Sequence, residues 1–294
     1  MTTLIIGCGY LGQHLGIRLH QQGERVFGTV RSPGRATVIA ALGIEAVIAD
    51  VLVPDSLSRL PEADRLFYSV GYDRAAGASM RAVYVDGLRN VLDALPRSVT
   101  RFVYAGSTGV YGQTDGEWVD ETSPTCPQHE SGRVCLAAEE LVLNWATTND
   151  HSASAIILRF AGLYGPGRIV RRSILERGEP IPGDPQKFLN LIHIDDAAQV
   201  ASAALATGKA EPIYVVSDDR PVTRQEYYGR MATLLDAPSP RFEPPTPGSP
   251  DAARDATNKR IANDRIKSGL GIALIYPDIT TGLSSCLSPN HQPR

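Results

Sequence analysis

TLIIGCGYLG, residues 3–12, decides the fold. A short apolar run leads into Gly7, and beyond it Leu11, Leu15 and Leu19 recur at helical spacing. Gly7, Gly9 and Gly12 stand in G-x-G-x-x-G spacing, after a strand and at the start of a helix. In that context the pattern is a dinucleotide phosphate loop. Gly7 allows the tight turn, and Gly9 lets a pyrophosphate approach the amides at the helix N-terminus. Gly12 permits close helix–strand packing. Tyr10 and Leu11 complete the cradle.

Outward from this loop, β-branched and apolar runs alternate with helical patterns. RVFGTV, EAVIAD and RLFYSV read as the next strands, then RFVYAG, SAIILRF and PIYVVS. Helices are centred near residues 88, 140 and 202. Strands apolar on both faces and linked by helices imply a doubly wound parallel sheet, an α/β Rossmann fold. Residues 1–165 are expected to form this domain, with 192–216 returning to it. Residues 166–191 and 217–294 would build a smaller C-terminal lobe for the substrate. Residues 236–256, rich in Pro, Ser and Asp, read as an irregular loop. NKRIANDRIKSGLG (258–271) reads as a helix ended by Gly269 or Gly271.

The end of the second strand chooses the cofactor. Where an acidic residue would hold a ribose 2′-hydroxyl, this chain has Val30, followed by Arg31 and Ser32. No carboxylate repels a 2′-phosphate there, and a guanidinium is placed to bind one. NADP is expected, with NAD as the alternative. Asp50 would accept from the adenine amino group, with Val51 beside it. Ser69, Val70 and Gly71, after the fourth strand, would border the cofactor.

Composition narrows the function classes. The 294 residues carry 29 basic and 32 acidic side chains, net −3, with no basic stripe, which argues against nucleic acid. Cys8, Cys126, Cys135 and Cys286 are widely spaced, without metal-ligand spacing, and read as free thiols of a reducing cytoplasm. No apolar run approaches the roughly 20 residues that span a bilayer. The first strand leaves no room for a signal peptide. A cytoplasmic monomer or homodimer acting on a small molecule is expected.

With these elements placed, the chain resembles the extended branch of the short-chain dehydrogenase/reductases, the NAD-dependent epimerase/dehydratase family. STGVYG (107–112), ILRFAGLYGPGR (157–168), NLIHIDDAA (190–198) and NKRI (258–261) carry the resemblance. It implies that Ser107, with Thr108 beside it, polarises a substrate carbonyl or alcohol. Arg159 and residues 164–167 would lie where nicotinamide and substrate meet. His193 would sit on the closing loop, or pack beneath a helix capped by Asp195 or Asp196. A nucleotide sugar or related carbonyl compound would be the substrate.

QHESGRVCLAAEELVL (128–143) departs from the family. Its members carry Tyr, three residues, then Lys; here Ser131 and Cys135 occupy those places, and residues 123–143 hold no Tyr or Lys. A serine is a poor proton acceptor near neutral pH. Tyr72 would face the nicotinamide and is one replacement; Tyr111 and Tyr164 are others, and all three also suit packing. Arg133 should point away. Two readings stay open: an epimerase, dehydratase or reductase with a rearranged proton donor, and a cofactor-binding regulatory or redox-sensing protein with little turnover.

Overall fold

The computed structural model describes residues 1–148, 153–207 and 211–287. β1 (Thr2–Ile6) and α1 (Tyr10–Gln21) lead to β2 (Arg25–Val30), α2 (Pro33–Ala40), β3 (Glu45–Ile48) and α3 (Pro54–Leu57). After β4 (Arg65–Tyr68) comes a π-helical turn, Ala82–Asp86, that runs into α4 (Gly87–Ala94). Then follow β5 (Arg101–Ser107), β6 (Glu117–Val119), α5 (Glu130–Thr148) and β7 (Ser154–Phe160). The chain continues through β8 (Gly162–Tyr164), α6 (Arg172–Glu176), β9 (Ile181–Pro182), β10 (Phe188–Leu189), β11 (Leu191–His193), α7 (Ile194–Ala206) and β12 (Ile213–Val216). It ends with β13 (Val222–Thr223), α8 (Arg224–Leu235), β14 (Phe242–Glu243), α9 (Pro250–Asp255), β15 (Lys259–Ile261), α10 (Asp264–Leu270) and α11 (Ile279–Cys286).

Seven strands form one sheet, in the order β12-β7-β5-β4-β1-β2-β3. Every pairing in it is parallel. The alternation of side chains along β1 shows why both faces are covered. Ile5 packs with Leu11, Leu15 and Leu19 of α1 and with Ala197 and Ala201 of α7. Leu4 and Ile6 face the other way, onto Leu88 and Val91 of α4 and Ala138 and Val142 of α5. Strand order reverses between β1 and β4, and a doubly wound sheet opens a crevice at the carboxyl ends of its strands there.

A separate apolar cluster, including Leu175, Tyr227, Met231 and Leu283, forms the smaller lobe. Two features differ from the sequence reading. Residues 259–261 pair with β6 as a strand, and the expected helix begins only at Asp264, ending at Gly271 in a left-handed conformation (φ 66°). That helix also belongs to the sheet rather than the lobe, because Ile266 and Ile272 are buried in the core shared by α1, α7 and β12. Within 236–256, the expected irregular loop contains the short β14 and α9.

Candidate functional site

Each glycine of the first loop meets a different constraint. Gly7 has φ 85°, and a Cβ there would lie 2.8 Å from backbone atoms of Val70. A Cβ on Gly12 would meet the Gly7 carbonyl at 2.9 Å and Ile5 at 3.0 Å. Around Gly9 nothing lies within 4 Å, so its side faces open space. Gly9 is also the N-cap of α1, which has no side-chain cap and no acidic residue in its first turn. The first-turn amides of a helix lack intrahelical partners, and the helix dipole is positive there. The loop thus offers an anion an uncovered helix N-terminus. Tyr10, half-buried, reaches across to the lobe connection: its hydroxyl donates to the Pro166 carbonyl at 3.0 Å, and Arg168 lies over its ring. Leu11 is buried in the core beneath.

The other expected cofactor contacts gather at neighbouring strand ends. Ser69 donates to the Gly7 carbonyl at 3.0 Å, Val70 packs against Gly7, and Gly71 is exposed. Arg31 is exposed, with one ion pair to Asp73 at 3.5 Å, and Ser32 is the N-cap residue of α2 without a side-chain bond. One Asp50 oxygen accepts the Leu52 amide at 2.9 Å. Val51 is buried against Gly87, and its carbonyl accepts from the Asn90 side chain.

The second group surrounds β5. Ser107 caps a 3₁₀ turn at Thr108–Val110 by accepting the Gly109 amide at 3.0 Å. Helix α5 meets this turn at Gly132, where a Cβ would lie 2.5 Å from the Gly109 carbonyl. Ser131, the preceding residue, is exposed on the first turn of α5. Cys135 is half-buried, and burial, then the nearby Glu139, push its thiol up to about 11. It stays protonated near neutral pH and supplies no charge. Arg133 is exposed and donates to the Gln128 carbonyl.

The tyrosines do not offer an obvious replacement. The Tyr72 hydroxyl donates to Ala78 of its own loop at 3.2 Å. Tyr111 and Tyr164 are fully buried. Burial raises both of their hydroxyls, Tyr164 far above the usual range. Tyr164 packs under α11, against Gly282. One tyrosine escaped the sequence reading: Tyr84, on the π-helical turn, accepts the Tyr72 amide at 3.1 Å. Burial raises its hydroxyl, and it lies within electrostatic reach of Cys135. Nothing in its local sequence marks the π turn that places it.

Arg159, expected at the nicotinamide end, is withdrawn from the crevice. It is 4% exposed and donates to both Glu139 oxygens, at 3.1 and 2.8 Å to Oε2, and to the Tyr111 hydroxyl at 2.8 Å. Its guanidinium pins α5 to β7. His193 is also fully buried. It is itself the N-cap of α7, accepting the Asp195 amide at 3.2 Å, so neither aspartate caps that helix. Asp196 instead accepts the amides of Ile275 and Tyr276.

The smaller lobe holds a cavity of about 470 Å³, lined by Arg171, Asn190, Arg224, Tyr228 and Lys259 among others. Lys259 is a further residue that sequence reasoning missed, although NKRI was noted as a motif. Among the described residues, no cluster of His, Cys, Asp and Glu could hold a metal, and no helix is long and apolar enough to cross a membrane.

The model of the NAD dependent epimerase/dehydratase family matches residues 3–217. Protein YeeZ of Escherichia coli (strain K12) is 31% identical over 280 residues, 93% of this chain and 96% of its own. The 3-diazoavenalumate denitrifying reductase of a Streptomyces species is 27% identical over 96% of this chain and 99% of its own. The structure of MoeE5 in complex with UDP-glucose and NAD shares the fold, with a TM-score of 0.80 and 22% identity over 97% of this chain and 96% of that one.

Proposed function

Because the chain belongs to the NAD-dependent epimerase/dehydratase family, we propose that it binds NADP(H) at the β1–α1 loop and acts as an oxidoreductase on a small carbonyl or nucleotide-sugar substrate. The observation that carries the cofactor site is the open face of Gly9 at an uncapped, acid-free helix N-terminus. That arrangement fits a pyrophosphate, whose charge the α1 dipole and backbone amides would offset. Arg31 and Ser32, free of any carboxylate on β2, support the preference for a 2′-phosphate. Asp50, Val51, Ser69, Val70 and Gly71 would line the adenosine and ribose side.

A nicotinamide cofactor supplies or accepts a hydride when bound. This chain's own contribution would come from Ser107, whose hydroxyl would donate to a substrate oxygen, with Thr108 shaping the turn. The half-buried neutral thiol of Cys135 favours slow proton transfer, because no cation stands where relatives of this family keep a lysine. The second reading, a cofactor-binding protein with little catalysis, rests on that same observation. A reductase-type relative and a fold-mate that holds UDP-glucose leave sugar nucleotides, ketones and aldehydes as the substrates to try. Titration with NADPH and NADH, followed by NADPH turnover on that panel, tests both readings. Binding without turnover selects the second; absence of NADPH and NADH binding refutes both.

A further inference from the structure

Strand β15 carries Lys259 into the wall of the lobe's cavity. Its charge environment is lopsided. Arg171, Arg224 and Arg254 share the wall with Asp251. Asp251 pairs with Arg171 and, at 2.9 Å, with Arg254. Asp255 pairs with Arg224 and, at 3.8 Å, with Lys187. The carboxylates are therefore shared before Lys259 is counted.

Lys259 is 8% exposed, and no ion pair among the described residues includes it. Its ammonium donates at 2.9 Å to the carbonyl of Tyr111, the residue that follows the Thr108–Val110 turn. An ammonium has three donors, so two are left over. Asn190 fixes the strand that holds it, donating to the Lys259 carbonyl and accepting the Ile261 amide. Burial pulls the lysine down from 10.5 to about 8. A buried charge without a counter-charge is costly. A cation kept there at that cost, inside a cavity, fits a ligand that brings the missing negative charge.

We propose that this cavity receives an anionic group of the substrate, a carboxylate or a phosphate, and that Lys259 is the charge that anchors it. The inference deepens the proposed function: it rests on the reading that the chain acts on a small-molecule substrate, and it assigns this cavity to that substrate. Its pH behaviour separates Lys259 from its neighbours. The three arginines stay charged throughout, and burial raises the Tyr228 hydroxyl. Asp255, behind the wall, is held below the usual carboxylate range by the Asp184 amide and Arg224. Lys259 is then the group of this wall that discharges near pH 8.

Calorimetric titration of the full chain, with orthophosphate and succinate as separate probes, tests this at about pH 7 and about pH 9.5. At least one probe should bind at the lower pH, and the probe that binds tells phosphate from carboxylate. Lys259→Met should weaken it by about tenfold or more. Raising the pH should weaken wild type and leave Lys259→Met unchanged, although both probes are at least as negative there. Equal affinities for wild type and variant overturn the proposal, as does failure of both probes to bind wild type. If Lys259→Met does not fold by circular dichroism, the wild-type pH dependence decides alone. A fluorescence titration with NADPH runs beside it. A chain that binds NADPH but neither anion keeps the proposed cofactor site and loses this inference.

Discussion

Arg159 and Glu139 lie face to face between β7 and α5, 20 residues apart in sequence, with the guanidinium forked onto the carboxylate and both residues at most 4% exposed. The pair explains how a helix that lacks the usual acid–base residues still holds its place. Its register on the sheet is fixed from below, by charge and hydrogen bonds, and from above, by Gly132 against the Gly109 carbonyl.

Removing one partner leaves the other buried and unpaired. Arg159→Met should therefore cost about 3–5 kcal/mol of unfolding free energy. The double variant Arg159→Met with Glu139→Leu should recover most of that loss, since no isolated charge remains. Urea denaturation of the three proteins checks it. A double variant less stable than the single one would show that the pair is not the main link.

The two loop glycines should separate cofactor binding from folding. Gly9→Val projects into open space and should abolish NADPH binding with a near-normal melting temperature. Gly7→Ala meets the Val70 backbone at φ 85° and should destabilise the fold by about 1–3 kcal/mol. Normal cofactor affinity in Gly9→Val would place the pyrophosphate elsewhere.

Arg31 is the side chain expected to read the 2′-phosphate. Losing a charge-assisted hydrogen bond costs about 1.5–3 kcal/mol. Arg31→Ala should weaken NADPH by roughly that much and leave NADH nearly unchanged. Equal wild-type affinities for the two cofactors would remove the basis of the preference.

On α5, any residual turnover should depend little on Ser131. Ser131→Ala should change the rate by less than about tenfold, below the usual 10²–10⁴ of acid–base assistance, whereas Ser107→Ala should remove more. A brisk activity abolished by Ser131→Ala would make that serine the proton donor; abolition by Tyr72→Phe would select the tyrosine instead. The thiol gives an independent check. Exposed Cys126 should react with iodoacetamide first. Cys135 should stay slow near pH 8 and accelerate as the pH climbs toward about 11, because alkylation needs the thiolate. Rapid labelling of Cys135 at neutral pH would mean that a cation activates it.

The parallel sheet was readable from the alternating strand and helix runs, and the glycine spacing of residues 3–12 and the absence of Tyr and Lys from residues 123–143 are likewise local patterns. Strand and helix periods repeat within a few residues, and a glycine's steric role follows from its position in a strand–turn–helix unit. The sites that depend on distant partners were not readable. Arg159, expected as a cofactor contact, is engaged instead by Glu139 and Tyr111, 20 and 48 residues away. His193, expected beneath an aspartate cap, turned out to be the cap itself. Lys259 became conspicuous only when folding brought it against Tyr111, 148 residues earlier, and beside arginines from three other segments. Burial and charge balance are properties of the packed chain. Only the tertiary structure decides which cations are left without a counter-charge.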